Sequence, residues 1–395
     1  MQPLTRSQYR ISSIDLLRGI VMIIMALDHT RDLFHVKAST ADPLDLSTTT
    51  PALFLTRWIT HFCAPVFVFL AGTSAWLQGL RKPKRELSKF LISRGLWLIL
   101  MEVTIVNFVI TYDIFFQSIV LQTIWAIGIS MVFLGLFVWL PFPVILAMGA
   151  VIMFGHNYLD RYEVAPNRSY SIFYHLLHLP TFMSIDRSHA LGIFYPFLPW
   201  VGVMTLGYCF GRIVSTTDPS RRTRTFVLIG VAVTVFFVIV RYINDYGNPR
   251  PWSVQSTTLY TLFSFINTQK YPPSLLYAAM TIGPALIVLG LLNNAGGRLS
   301  RIVKVYGEVP FFYYILHFFV LHLVATIFFF IRGHSFAEGF NQPQNGPLKF
   351  IIPGEGYSLG VVYLVWITVV ISLYPLCRRY ANYKRTHQRW WLQYL

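Results

Sequence analysis

Apolar residues dominate ten stretches of this chain, at roughly 14–34, 53–80, 89–111, 116–139, 142–158, 190–213, 225–243, 273–293, 308–331 and 357–377. As helices rising about 1.5 Å per residue, such stretches match a hydrocarbon layer about 30 Å thick. The pattern predicts an all-α polytopic bundle of about ten transmembrane helices. Only Pro141 and Pro143 separate the fourth stretch from the fifth. Two kinds of connection alternate between them. One kind is mostly short and basic; the other is long and rich in Pro, Asn, Ser and Tyr, at roughly 35–52, 159–189, 244–272 and 332–356. No soluble domain, low-complexity tract or internal repeat stands out, so residues 1–395 are expected to form a single integral membrane domain.

Composition agrees with the pattern: 55% of residues are hydrophobic and 12% charged, far from the balance of a soluble domain. The net charge of +16 needs no nucleic acid to explain it. Arg6, Arg10, the run from Arg81 to Arg94, Arg212, Arg221, Arg222, Arg224, Arg298, Arg301, Lys304 and the run from Arg378 to Arg389 all fall on one side of the ten-span topology. Basic residues gather in cytoplasmic loops, which predicts a cytoplasmic N-terminus and C-terminus. Cys63, Cys209 and Cys377 lie in or at the end of apolar stretches without metal-type spacing and read as packing residues. Asp15 and Arg18 interrupt the first apolar run and no small-x-small cleavage site follows, so the first helix is expected to be retained. Asn167-Arg-Ser fits a glycosylation sequon, a motif too short to carry weight alone.

The first stretch carries the most unusual chemistry. SIDLLRGIVMIIMALDHTRDLFH, from Ser13 to His35, contains Asp15, Arg18, Asp28 and His29. Charge within a spanning helix is costly and usually faces a cavity. Arg18 and His29 are eleven residues apart, which places them within about 20° of one another around the helix and about 16 Å apart along it. By depth, His61, Glu102, Gln122, His317 and His322 join His29 in the outer half of the bundle or near its middle. Each has a plainer reading as a packing hydrogen bond between helices, above all Gln122 and His317. His317 and His322 differ by about 140° around their helix, so one of them faces His29; depth favours His322. Glu102 needs either a wet cavity or an imidazole partner. Asp15, three residues before Arg18, can simply neutralise it.

Phosphate loops, HExxH, CxxC pairs and GxSxG elbows are all missing. His175 and His178 have i, i+3 spacing but no third ligand nearby in sequence, so no metal is predicted. The small residues of FLAGTS at 70–75 and GVMTLGYCFG at 202–211 predict close helix contacts.

The blocks SIDLLRGIVMIIMALDHTRD, HFCAPVFVFLAGTS, VLQTIWAIGIS, YPFLPWVGVMTLGYCFG and YGEVPFFYYILHFFVLH resemble the membrane acetyltransferases related to heparan-α-glucosaminide N-acetyltransferase and their bacterial relatives. The resemblance implies a multi-pass enzyme, in bacteria of the inner membrane, that moves an acetyl or acyl group from acyl-coenzyme A to an amine or hydroxyl of a sugar-like, cell-envelope acceptor across the membrane. Its implied partners are the bilayer, acyl-coenzyme A and that acceptor, with a homodimer possible. The spacing of Arg18 and His29 is also similar to the Arg, ten residues, His pattern of bacterial membrane O-acyltransferases, which implies a catalytic role for His29. One departure stands out. The lysosomal enzyme has its catalytic His in the loop after the first helix, whereas ADPLDLSTTTPALFL here contains none, and His29 and His61 replace its Asn and Asp.

Acyl transfer from a thioester needs a base, help for the developing oxyanion and a site for the anionic carrier. The assignment expected is His29 as general base, oriented by Asp28 or Glu102, with His61 and His322 as polarising groups. Arg18 is the coenzyme A contact; Gln122 and His317 are substrate contacts. A transporter or flippase of a lipid-linked sugar, with the same His and Glu residues as a proton relay, is the alternative.

Overall fold

Helix α1 (Ser12–Phe34) has Asp15 in its first turn and Arg31 in its last, each complementing the charge at its end of the helix dipole. Most of its side chains are buried, although Asp15, Arg18, Asp28, Arg31 and Asp32 are charged. The computed structural model describes residues 11–162, 170–340, 348–387 and 389–393. Arg6, Arg10 and the sequon at Asn167 lie outside them.

The chain continues through α2 (Pro51–Thr60), α3 (Cys63–Gly79), α4 (Lys84–Met101), a π-helical turn (Glu102–Val106), α5 (Asn107–Thr111), β1 (Ser118–Leu121), α6 (Thr123–Phe137) and α7 (Phe142–Gly155). A 3-10 turn (His156–Tyr162), α8 (Ile172–Leu177), β2 (Thr181–Ser184), β3 (Ala190–Ile193), α9 (Phe197–Thr216), α10 (Pro219–Ile243) and α11 (Thr258–Ile266) follow. The last elements are α12 (Leu275–Leu291), α13 (Gly297–Glu308), α14 (Pro310–Ile331), α15 (Phe336–Phe340) and α16 (Leu359–Thr386), with short 3-10 turns after α12 and α16. Eight helical runs among the described residues are long and apolar enough to cross a membrane, at 51–79, 84–111, 142–162, 197–216, 219–243, 275–294, 310–331 and 359–386. The two remaining predicted stretches are α1, which is rich in charge, and α6, an apolar helix of 15 residues. The architecture is an all-α polytopic bundle.

Three local departures from the sequence reading matter for the site. The predicted stretches at 116–139 and 190–213 begin too early, because their first residues form β1 and β3. With β2 these make a small sheet of order β1-β3-β2, parallel between β1 and β3 and antiparallel between β2 and β3. Runs as short as SIVL and ALGI do not distinguish strand from helix, and Pro196 keeps the residue before it extended, so α9 starts late. The run at 51–79 is interrupted at His61 and Phe62, which divide it into α2 and α3. Its start is fixed by Thr50, whose hydroxyl accepts from the Leu53 amide, and by Pro51 in the first turn. Finally, the connection before α14 contains α13, which turns Val305, Tyr306 and Gly307 inward.

Helix α1 is surrounded by α2, α3, α12, α13, α14 and α16. Small residues allow the closest approaches. A Cβ on Gly307 would collide with the Asp15 carbonyl, and one on Gly19 with the Val303 carbonyl. The two small-residue motifs meet as predicted: Gly72 lies against Met204 and Gly207 against Phe69, and the Thr73 hydroxyl donates to the Gly207 carbonyl at 3.0 Å. The bundle thus has one end carrying Arg18 and the basic connections, and an opposite end built from the sheet and long loops.

Candidate active site

Arg18, Met22 and Met25 follow one another at i, i+4 and i+7 along α1 and line a cavity of about 290 Å³. His29 continues the same stripe one turn further. Leu91, Arg94 and Leu98 of α4 form a second wall, Phe67, Ala71 and Ser74 of α3 a third, and Thr123, Ile127 and Met131 of α6 a fourth; Phe311 and Tyr314 close it from α14. The basic end holds Arg18, Arg94 and Lys384 with Glu308, while the walls above them are apolar. Arg18 is tethered there: it donates to Asp15 at 3.2 Å, to the Ser74 hydroxyl at 3.0 Å and to the Gly307 carbonyl at 3.4 Å. Asp15 is therefore its neutralising neighbour, and α13 supplies a partner through Gly307.

At the top of the stripe, His29 Nδ1 lies 2.8 Å from His317 Nε2, and His317 Nδ1 lies 2.7 Å from the Tyr313 carbonyl. The carbonyl can only accept, so in the neutral pair His317 carries its proton on Nδ1 and accepts at Nε2. His29 then donates from Nδ1, which leaves the lone pair on its Nε2. That nitrogen makes no hydrogen bond to a described residue, and His29 is partly exposed while His317 is fully buried. Phe318 and Tyr314 enclose the imidazole, with ring centroids at 4.5 and 6.1 Å. Tyr314 also lines the cavity, so its hydroxyl-bearing ring connects the two.

The carboxylate next in sequence does a different job from the one expected. Asp28 receives both Arg57 contacts at 2.8 and 2.9 Å and the Thr60 hydroxyl at 2.8 Å, with Arg31 at 2.8 Å and Lys270 at 3.9 Å. It orients no imidazole directly; it ties α1 to α2 and to the segment before α12. Burial alone would push the neighbouring Tyr271 hydroxyl up, but the Lys270 and Arg57 cations outweigh it and leave that group lowered. Arg31, Arg57 and Lys270 thus gather three largely buried cations beside His29.

The other expected site residues separate from His29. Glu102 Oε1 accepts from the Gln122 amide at 2.6 Å, so the carboxylate caps the N-terminus of α6. The π turn that begins at Glu102 aims it there. Gln122 participates through its backbone. His322, favoured over His317 by depth, contacts instead the carbonyls of Val109 at 3.1 Å and Lys349 at 2.9 Å and stacks on Tyr112. The helical offset does direct the two histidines to different neighbours, but α14 is turned so that His317 faces α1. His61 is fully buried; neither ring nitrogen has a hydrogen-bond partner among the described residues, and its carbonyl accepts from Tyr277.

Sequence reasoning missed Arg57, Lys270 and Tyr314. Tyr314 had a usable signal, standing three residues before His317 and thus on the same face. Arg57 and Lys270 had none, because each is brought to Asp28 by a change of chain direction. Among the described residues, no group of three or more His, Cys, Asp or Glu side chains can hold a metal ion.

Comparison with known proteins adds a family to this geometry. The sequence pattern described as heparan-alpha-glucosaminide N-acetyltransferase, catalytic, matches residues 10–243. The matched part contains Arg18, His29, His61, Glu102 and Gln122 and stops before His317 and His322. A search of curated proteins finds no match. A match over more than half of the chain, on a bundle of apolar spanning helices, is decisive: the chain belongs to the heparan-alpha-glucosaminide N-acetyltransferase catalytic family of membrane acetyltransferases.

Proposed function

We propose that this acetyltransferase takes its acyl group from acyl-coenzyme A bound at the basic end of the α1 cavity and gives it to an amine or hydroxyl of a sugar-like acceptor reached from the loop end. The observation that supports this reading is the hydrogen-bonded line from the Tyr313 carbonyl through His317 to His29, which leaves His29 Nε2 an acceptor on the same α1 stripe whose Arg18, Met22 and Met25 line a cavity with cations at one end. Arg18, Arg94 and Lys384 suit the phosphates of the carrier, since guanidinium and ammonium groups form charge-assisted bonds to phosphate. The volume of about 290 Å³ is at the small end for ligand sites, so the pantetheine arm enters and the nucleotide stays at the mouth.

In the transfer step, His29 Nε2 takes the proton of the acceptor N–H or O–H as that atom bonds to the thioester carbonyl carbon. The Tyr314 hydroxyl, on a ring that packs against His29 and lines the cavity, supports the oxyanion. Collapse breaks the carbon–sulfur bond, and the proton on His29 returns to the leaving thiolate. Asp28, Glu102, His61 and His322 serve as positioning residues. Donor and acceptor then come from opposite faces of a bacterial inner membrane, with both termini cytoplasmic, an orientation that the basic connections support.

Oriented vesicles test this. Acyl-coenzyme A supplied only on the side of Arg81 should acylate acceptor supplied only on the opposite side, and His29→Ala should abolish the transfer. Transfer only when both substrates share one side would overturn the arrangement.

A further inference from the structure

Helices α9 and α10 are joined through Thr217 and Asp218 yet pack on different partners. Glycines explain the divergence. Gly207 and Gly211 draw α9 onto α3, against Phe69 and Trp76, while Gly230, Gly283 and Gly290 draw α10 and α12 together. A cleft of about 740 Å³ remains between the two pairs, closed on its third side by α7. From Val203 to Thr216 it follows α9 for about 20 Å, further than half of a hydrocarbon core about 30 Å thick. Helix α3 separates it from the acyl-transfer cavity, since Phe69 faces the cleft and Phe67 and Ala71 face the other side.

Apart from the sulfurs of Cys209 and Met153, the lining is hydrocarbon and aromatic except at the basic end, where Arg212 and Thr216 stand. Water in such a space finds too few polar partners, and interiors pack too densely to leave it empty. An alkyl chain is the occupant whose chemistry such walls match. The Arg212 guanidinium lies 4.4 Å over the Phe142 ring and makes no hydrogen bond to any described residue, although it carries five donors. Arg221, Arg222 and Arg224 follow at the start of α10.

We propose that the cleft is a lipid site, holding one acyl chain of an anionic phospholipid whose phosphate is bound by Arg212. The charge at its mouth selects the headgroup, and the apolar walls accept the chain without selecting its structure. The site is independent of acyl transfer and stands whether or not that reading holds.

The test uses full-length protein in nanodiscs of mixed phosphatidylglycerol and phosphatidylcholine, then gentle transfer to detergent and native mass spectrometry of retained lipid. Wild type should retain one phosphatidylglycerol per chain in preference to phosphatidylcholine. Arg212→Gln should lose about tenfold of that preference, the size of one charge-assisted hydrogen bond. Ala232→Trp, which fills the cleft from α10, should retain neither lipid while keeping a monodisperse elution profile. Equal retention of both lipids by wild type would mean an adventitious additive only and overturn the proposal. So would a wild-type dimer that Ala232→Trp separates with no lipid lost, because the cleft would then be an interface between copies. If Ala232→Trp does not elute as folded protein, Arg212→Gln decides alone.

Discussion

Replacing His317 by Phe isolates what the imidazole line contributes, because it keeps a ring at a fully buried position and removes only the nitrogens. In the native arrangement the Tyr313 carbonyl fixes the His317 proton on Nδ1, and His317 Nε2 accepts from His29 at 2.8 Å. Without that acceptor, His29 can turn or place its proton on either nitrogen. A buried donor that loses its partner costs about 1–3 kcal/mol. If that cost falls on the reactive arrangement, the rate drops by about 5- to 150-fold, at about 1.4 kcal/mol per factor of ten. Loss of the base itself, in His29→Ala, should cost about 10²–10⁴-fold.

The assay follows release of coenzyme A thiol during transfer by protein in liposomes. The effect should fall on kcat, with KM for acyl-coenzyme A nearly unchanged, because His29 is about 16 Å along α1 from Arg18. His317→Gln, whose side-chain oxygen can still accept from His29, should recover part of the loss. A purely structural role for His317 gives no reason for Gln to exceed Phe. Wild-type kcat in His317→Phe, with His29→Ala inactive, would refute the reasoning: His29 would then hold its working orientation without His317.

Four further outcomes are expected. Arg18→Ala should weaken coenzyme A binding in a titration by about tenfold or more, and Asp15→Asn should have the smaller effect, since the phosphate contact belongs to Arg18. Tyr314→Phe should lower kcat more than it raises KM if its hydroxyl supports the oxyanion; equal affinity loss and unchanged kcat would assign Tyr314 to binding. Arg57→Ala should destabilise the protein by about 1.5–3 kcal/mol, read from unfolding midpoints in detergent, because Asp28 loses its charge-assisted hydrogen bonds to Arg57 but keeps Arg31, Lys270 and Thr60. Glu102→Ala should cost about 0.5–2 kcal/mol by uncapping α6, whereas Glu102→Gln, which still accepts, should cost less.

The bundle was legible because its signal is repeated: apolar length, alternating basic connections and small-residue motifs each recur along the chain. The 3.6-residue period also made the α1 stripe legible: Arg18, Met22 and Met25 line one cavity, and His29 follows on the same stripe one turn beyond Met25. Partner choice was not legible. Depth favoured His322 over His317, yet the rotation of α14 decides which histidine faces α1, and rotation depends on packing around the whole helix. Asp28 illustrates the same limit, since its cations arrive from Arg57 beyond a loop and from Lys270 far along the chain. Glu102 is a third case. Its partner is the end of another helix, and the π turn that aims it has no pattern in apolar periodicity.

A helix as charged as α1 is expensive in a membrane, and the way each charge is met explains why it holds its place. Near one end Asp15, Ser74 and the Gly307 carbonyl share Arg18; near the other, Asp28 is shared among Arg57, Arg31, Thr60 and Lys270. Breaking such contacts leaves a buried ion without compensation, which costs more than forming them gains. The charges therefore fix the rotation of α1 relative to α2, α3 and α13, and the rotation fixes which residues lie between them. Met22 and Met25 line the cavity because Arg18 and Asp28 are held where they are. His29 follows one turn beyond Met25 and meets His317 for the same reason, so the polar residues of α1 act together in placing one imidazole.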